Sequence, residues 1–378
     1  MNQKEPVILV VSQLPPPVHG STVMTKRFMD ALRSAGYDAK IVEKNFSRRI
    51  EDVGGYSVRK VLEIFPLCLR LEKALKEERP TLCIFFTTVG LRSFIIDSLL
   101  VSILKMSKIP FVHYFHGKGY LKLSRSRIPC INSLLKYTLG SAIGGLVLGK
   151  RLMADVDRFI PGEHLYVLPN GVPDEIGEKQ IPSKKQNDKK TVVFLSNLIR
   201  TKGPMEFIQA ANLVLKKTKD VTFVLAGGTR DNMFLEEITK YIRMHNLKYF
   251  IKVPGPLYGK DKAQLLRGAD VFLLPTKYEN EISPLVNLEA MQYAVPIIST
   301  DEGAIPEVVR DGINGYIVKA DDVEQISELI IELLRDDARR ISMGRMGRKI
   351  YKDEYSIEAY EKNVRVAMEY FLGKIKLH

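Results

Sequence analysis

The chain has 378 residues, 45% apolar and 27% charged, the composition of a soluble globular protein with room for two or three domains. Its most apolar window, Phe94 to Leu104, carries Asp97 between Arg92 and Lys105 and is too short to span a membrane; its three cysteines (Cys68, Cys83, Cys130) are odd in number and without metal-ligand spacing, which points to thiols in a reducing compartment. The net charge of +13 is one-sided, because residues 1–172 hold 25 Lys and Arg against 14 Asp and Glu while the remainder holds 32 against 30.

The first predicted element is the buried strand Val7-Ile-Leu-Val-Val11, with no secretory signal expected before it. The loop from Ser12 to Gly20 holds three prolines, and Gly20 would let a ligand approach the backbone closely. It matches neither G-x-G-x-x-G nor a Walker loop. A helix over 21–34, capped by Ser21 or Thr22, and another over 58–76 follow, then strands at 82–86, 110–114 and 145–148. His113 falls inside a strand and reads as structural, whereas His116 stands at a strand's carboxyl end beside Gly117 and Gly119, where a cleft residue belongs. Basic residues cluster at Lys40 to Lys60 and at Lys118 to Arg127. They suit an anionic membrane surface, a pyrophosphate-bearing acceptor or a plain solubilising face; nucleic acid is not expected, because no recognition motif accompanies the charge. Asp155-Val-Asp157 has the form of a metal-binding pair, but the spacing predicts a helix over 150–158, on which residues two apart face different ways, so a solvated face is expected and no metal site. Leu168 to Val172 reads as a turn, with Asn170 and Gly171 able to take positive φ.

Residues 173–190 are polar and charged and read as a linker. Beyond it come strands at 192–195, 222–226, 271–274 and 296–299, with helices at 205–217 and 234–245. Apolar strands alternating with amphipathic helices on both sides of the linker predict an α/β protein with two doubly wound parallel sheets. The predicted domains are 1–172 and 191–355, with an amphipathic C-terminal helix near 356–374 packing back on the first. Asp321-Asp322 and Asp336-Asp337 read as helix N-caps. Ligands of such sheets bind at the carboxyl ends of the strands. There, after Val193-Phe-Leu195, the loop Ser196 to Gly203 places Arg200 and Lys202 just before a helix opened by Pro204; it is either a solvated basic loop or a clamp for a departing diphosphate. After Val271-Phe-Leu-Leu274 comes Glu281-Ile-Ser-Pro-Leu-Val-Asn-Leu-Glu289. Ser283 is expected as N-cap and Pro284 as first residue of a helix whose free N–H groups could hold phosphate, with glutamates before and within it to grip hydroxyls on either side. Two glutamates at this spacing also arise by chance.

Taken in order, these pieces resemble retaining glycosyltransferases of the GT-B fold, family four, over essentially the whole chain. The likeness lies in Glu281 and Glu289, Lys202-Gly203, Val18-His19-Gly20, His116, Pro169 to Val172, and the segments Gly303 to Val309 and Gly312 to Gly315. The resemblance implies two Rossmann-like domains facing across a cleft, with a nucleotide diphosphate held mainly by the second. Glu289 would bind the ribose, Glu281 the donor sugar, and Lys202, Arg200 and the helix mouth (Ser283, Leu285, Val286) the diphosphate; His116 would contact the sugar and Gly20 permit close approach. Asn197 stands where the family's clamp usually has arginine, Ile282-Ser283-Pro284 replaces a Gly-Phe-Gly, and His19 replaces the first loop glycine.

The implied activity is retaining transfer of a hexosyl or N-acetylhexosaminyl group to a hydroxyl, without a metal or other cofactor. The charge suggests a lipid-linked glycan acceptor and a peripheral place at the inner face of the plasma membrane, in surface polysaccharide or glycoconjugate synthesis. A nucleotide-sugar epimerase of the same fold and a non-catalytic nucleotide-sugar-binding protein are the alternatives.

Overall fold

The computed structural model describes residues 5–16, 20–44, 64–177 and 189–376. Val18 and His19, most of the Lys40 to Lys60 cluster and most of the expected linker lie outside the described residues. The chain forms two compact units, residues 1–170 with 358–378, and residues 171–357.

In the first unit, six parallel strands lie in the order β2-β1-β3-β4-β5-β6. They are β1 (Val7–Ser12), β2 (Asp38–Glu43), β3 (Leu82–Thr87), β4 (Phe111–Phe115), β5 (Gly144–Val147) and β6 (Leu165–Val167). Central strands such as β3 and β4 are buried at every position, as sheets covered on both faces require. Helices α1 (Gly20–Ser34), α2 (Ile64–Glu78), α3 (Leu91–Met106), α4 (Tyr120–Ser124) and α5 (Ile131–Leu139) connect them. Right-handed crossovers put α2, α3 and α5 on one face and α1 on the other. The C-terminal helix, residues 357–376, packs on the α1 face, where Tyr360 comes within 3.5 Å of Tyr114 and Ser34 donates to Glu361.

The second unit repeats the plan in the order β12-β11-β10-β7-β8-β9. Its strands are β7 (Lys190–Leu195), β8 (Val221–Ala226), β9 (Ile251–Gly255), β10 (Val271–Leu274), β11 (Ile297–Thr300) and β12 (Gly315–Val318). The helices between them are α6 (Pro204–Lys217), α7 (Asn232–Met244), α8 (Gly259–Gly268), α9 (Leu285–Gln292) and α10 (Ile305–Val308); α11 (Val323–Arg335) and α12 (Asp337–Ile350) follow, and the C-terminal helix is α13. Asp322 and Asp336 cap α11 and α12 through Gln325 N–H (3.0 Å) and Arg339 N–H (2.8 Å).

Four local expectations are corrected. Ser21 and Thr22 lie inside the first turn of α1 and do not cap it, because the helix begins at Gly20. Neither Asn170 nor Gly171 has positive φ; the backbone runs on to pair Val172 with Ser356, and Val172 N–H donates to Tyr355 C=O at 3.0 Å. The start of the expected linker is built into the second unit. Asp174 accepts from Arg348 at 2.6 Å and pairs with Lys352, and the buried Gln292 bridges Pro173 C=O and Glu175 N–H. The helix expected over 150–158 is a 3-10 turn, Lys150–Asp155; Asp157 is exposed as expected, but Asp155 is half-buried, and its carboxylate accepts the N–H groups of Gly119, Tyr120 and Leu121 and so caps α4.

Candidate functional site

The carboxyl ends of β7 and β10 meet in the second unit. The chain leaves β7 through a 3-10 turn, Arg200–Lys202, and reaches Gly203, whose φ of +84° belongs to the left-handed region. A Cβ there would sit 2.2 Å from Pro275 O, so glycine lets the loop lie flat on the residues after β10. Lys277 N–H donates to Thr201 C=O at 2.7 Å and fastens the two loops. Pro204 then opens α6 at a position where a missing N–H costs nothing.

This packing aims Lys202 at Glu281. Lys202 Nζ lies 3.2 Å from Glu281 Oε2 and 5.4 Å from the centre of the Tyr278 ring. The carboxylate is buried, and the contact has ion-pair distance without hydrogen-bond alignment. Its loop is set by Glu281 N–H to Tyr278 C=O (2.7 Å) and by Ala304 N–H to Ile282 C=O (2.6 Å). Gly303, with φ +55°, permits that second contact, since a Cβ would fall 2.5 Å from Ile282 O.

Helix α9 starts one residue later than expected. Pro284 is its N-cap, in extended conformation, and Ser283 stands one residue before the cap. Asn287 N–H turns back to Pro284 C=O at 3.1 Å, which leaves the first-turn N–H groups of Leu285 and Val286 at the mouth. The Asn287 side chain is fully buried, and its amide has no partner among the described residues, as a group awaiting water or ligand would. Glu289, further along the helix, is held by Lys262 of α8 at 2.7 Å. That partner went unnoticed in the sequence, where it stands 27 residues away with no motif around it.

Arg200 does not join Lys202. Its half-exposed guanidinium turns to Glu237 of α7 (2.6 Å) and to Asp231 (3.5 Å), and lies over the Phe234 ring. Asn197 is exposed beyond β7, its carbonyl accepting Ile199 N–H at 2.8 Å.

In the first unit, His116 follows β4 with its ring stacked on Phe86 (centroids 5.0 Å, planes 9° apart) and tilted against Tyr114. Burial pushes its pKa down to about 3, so the imidazole is neutral, and its Nε2 has no partner among the described residues. His113 is structural: Nε2 donates to Thr138 C=O at 3.0 Å, Nδ1 lies 2.6 Å from the Thr87 hydroxyl, and burial lowers its pKa to about 4. Gly20 is exposed at the first residue of α1. A buried pair that sequence did not suggest holds the loop after β3. Lys44 donates to Asp97 (2.8 Å) and to Phe86 C=O, and Asp97 also accepts from the N–H (2.8 Å) and hydroxyl (2.7 Å) of Thr88. Among the described residues no three His, Cys, Asp or Glu gather to hold a metal ion, and no helix is long and apolar enough to cross a membrane.

Residues 175–350 match the glycosyl transferases group 1 family. Over half of this chain and 52% of its partner, the sequence is 30% identical to a GDP-mannose-dependent monoacylated alpha-(1-6)-phosphatidylinositol monomannoside mannosyltransferase of Corynebacterium glutamicum. It is 23% identical to N-acetyl-alpha-D-glucosaminyl L-malate synthase of Bacillus anthracis, over 66% of this chain and 65% of that one. The chain thus spans about half to two thirds of these curated relatives' own length. In structure it is similar to a glycosyltransferase from Rickettsia africae (TM-score 0.77, 15% identity, 99% of both chains) and to Anabaena HepE in complex with UDP (TM-score 0.72, 14% identity, 96% of this chain and 99% of that one). The fold is therefore GT-B.

Proposed function

We infer that this GT-B chain, which carries a glycosyl transferases group 1 domain over residues 175–350, moves a sugar from a nucleotide-diphosphate donor to a hydroxyl. The observation that carries the inference is the Lys202–Glu281 contact beside the open mouth of α9. A cation and two N–H groups there suit a diphosphate, and carboxylates on either side suit hydroxyls. Lys202 and the N–H groups of Leu285 and Val286 would bear the charge that grows on the leaving diphosphate, as preorganised donors do. Glu281 would accept from hydroxyls of the donor sugar and Glu289 from the ribose, once a hydroxyl takes the place beside it that Lys262 now fills. Ser283 would line the mouth and Asn197 its outer edge. Arg200 would serve at the edge too, after leaving Glu237. In the first unit, the neutral His116 would offer Nε2 to an uncharged hydroxyl, and Gly20 would leave the start of α1 open.

The reaction we propose retains configuration. The bond from the anomeric carbon to the diphosphate oxygen breaks, the acceptor oxygen bonds that carbon on the same face, and its proton passes to the departing diphosphate. Positioning and leaving-group stabilisation supply most of the rate. Lys202 and the helix mouth already provide positive charge, so we propose that no metal is needed. The solved HepE complex holds UDP and the C. glutamicum relative uses GDP-mannose; both support a nucleotide-sugar donor. The latter's acceptor is a phosphatidylinositol mannoside, which supports a lipid-linked acceptor here, at the inner face of the plasma membrane, in glycoconjugate assembly.

Mass analysis of products from UDP- and GDP-sugars, with and without lipid-linked and soluble glycan acceptors, tests this reading. Transfer is expected only with acceptor present. An epimerised donor formed without acceptor, or binding without any product, would overturn it. Lys202→Ala and Glu289→Ala should each lower kcat/KM by about 2–4 kcal/mol; unchanged turnover in both would remove the site assignment.

A further inference from the structure

We propose that the outer side of α3, with the adjoining start of α2 and α5, is a docking surface for an anionic lipid bilayer. Helix α3 carries large apolar side chains on its solvent side as well as on its core side. Phe94, Leu100, Val101 and Leu104 pack into the first unit's core, while Ile95 (45%), Leu99 (48%) and Met106 (75%) stand in water on the opposite side. Large apolar side chains gathered on a solvent face mark a binding surface. Its one acidic residue, Asp97, is on the core side, consumed by Lys44 and Thr88. On α2, which packs beside α3, Phe65 (69%) and Leu69 (49%) are also exposed, one turn apart.

Charge selects the partner. From residue 98 to residue 154 the chain has nine Lys and Arg and not one Asp or Glu. That stretch contains the rest of α3, all of α4 and all of α5. Lys105 leans over the Tyr137 ring of α5 (3.6 Å), Tyr137 reaches Ser102 of α3 (3.1 Å), and Lys108, Arg125, Arg127 and Lys136 are exposed along the same run. Phe, Leu, Ile and Met beside a run of cations that holds no carboxylate from residue 98 to residue 154, with Glu72 and Glu77 of α2 already paired to Lys76 and Lys73, match the boundary of a bilayer rich in anionic headgroups. The apolar side chains enter the acyl edge, and the lysines and arginines keep to the headgroups. A protein partner of ordinary surface would leave these cations without anions to meet. The surface carries none of the residues assigned to sugar transfer, and it rests on the membrane location proposed above only for the choice of that location, not for the chemistry of the site.

The chain has no tryptophan, so Leu99→Trp supplies a single reporter on the full protein, its melting temperature checked against wild type. Its emission should shift to the blue with vesicles containing phosphatidylglycerol and stay in place with pure phosphatidylcholine vesicles at the same low salt. A control, Met244→Trp on the exposed side of α7, should not shift. Leu99→Glu should cut the vesicle-bound fraction by roughly tenfold, by removing an inserted group and adding a repelled one. Four results would each overturn the proposal: no shift with either vesicle; equal shifts with both; an equal shift at Met244→Trp; or a shift that needs no vesicles and grows with protein concentration, which marks a second copy on this face. None of these measurements reads turnover, so the docking surface and the transferase assignment can fail separately.

Discussion

Replacing Lys202 by methionine keeps the side chain's apolar stem and removes its charge. Glu281 then stays buried with no cation. The two side chains are 9% and 17% exposed and 3.2 Å apart, a separation at which unit charges attract by about 5 kcal/mol in an effective dielectric of 20. Desolvation of both groups and the water still reaching Lys202 take back part of this, so the expected loss in the second unit is about 2–3 kcal/mol. Glu281→Gln, which leaves the cation near solvent, should lose only about 1 kcal/mol. The double variant should be more stable than Lys202→Met alone, because it removes the uncompensated carboxylate. Calorimetry on the full chain measures this, with the second unit's transition identified by its rise when nucleoside diphosphate is added. Titration of the same variants gives a second readout. Glu281→Gln should bind nucleoside diphosphate more tightly than wild type, since the carboxylate no longer competes for Lys202, and yet transfer less sugar. Single effects that add to within about 0.5 kcal/mol would show that the two groups do not interact and would refute the reasoning.

Three further outcomes are expected. The first unit should lose stability as pH falls below about 6.5, where unfolded imidazole takes up a proton while His113 and His116 stay neutral down to about 4 and about 3; each contributes a slope of about 1.4 kcal/mol per pH unit, and His116→Phe should halve the combined slope in melting curves. Gly303→Ala should cost at least about 2 kcal/mol and much of the turnover, because the Cβ meets Ile282 O and Glu281 O at 2.5 and 2.6 Å where φ is already positive; a wild-type melting curve counts against the close packing. Burial alone would raise the Asp174 carboxyl, but hydrogen bonds from Arg348, Lys352 and Ile176 N–H outweigh it and hold it well below the usual carboxylate range. Its contribution is therefore complete above pH 4 and is lost only in strong acid, and Asp174→Ala should destabilise the second unit by about 3 kcal/mol at neutral pH in urea titrations.

The eight strands visible in the sequence are interior to their sheets, where both faces are covered and most residues are apolar. The four that escaped notice, β2, β6, β9 and β12, are the sheet edges. There the pattern breaks: β9 is mostly exposed and contains Pro254, whose missing N–H an edge tolerates. Spacing also showed that Lys202, Glu281 and Glu289 stand at strand ends or on the helix that follows, since alternation of strand and helix sets those positions. It could not show Lys262 beside Glu289, Arg200 turned to α7, or Asp155 capping α4, because each pairing joins residues that only the folded chain makes neighbours.

Helix α13 belongs to the unit that begins at the other end of the chain. Phe371 fills the space over Gly144, where a Cβ would come within 2.6 Å of its ring, and Tyr360 is buried beside Tyr114. On the ribosome, residues 5–170 must therefore wait for residues 358–376 before their wall is closed, whereas residues 171–357 can finish folding while translation continues. A chain cut short after residue 356 would lose the wrong half: the second unit should survive the truncation, and the first should be left with an open apolar seam.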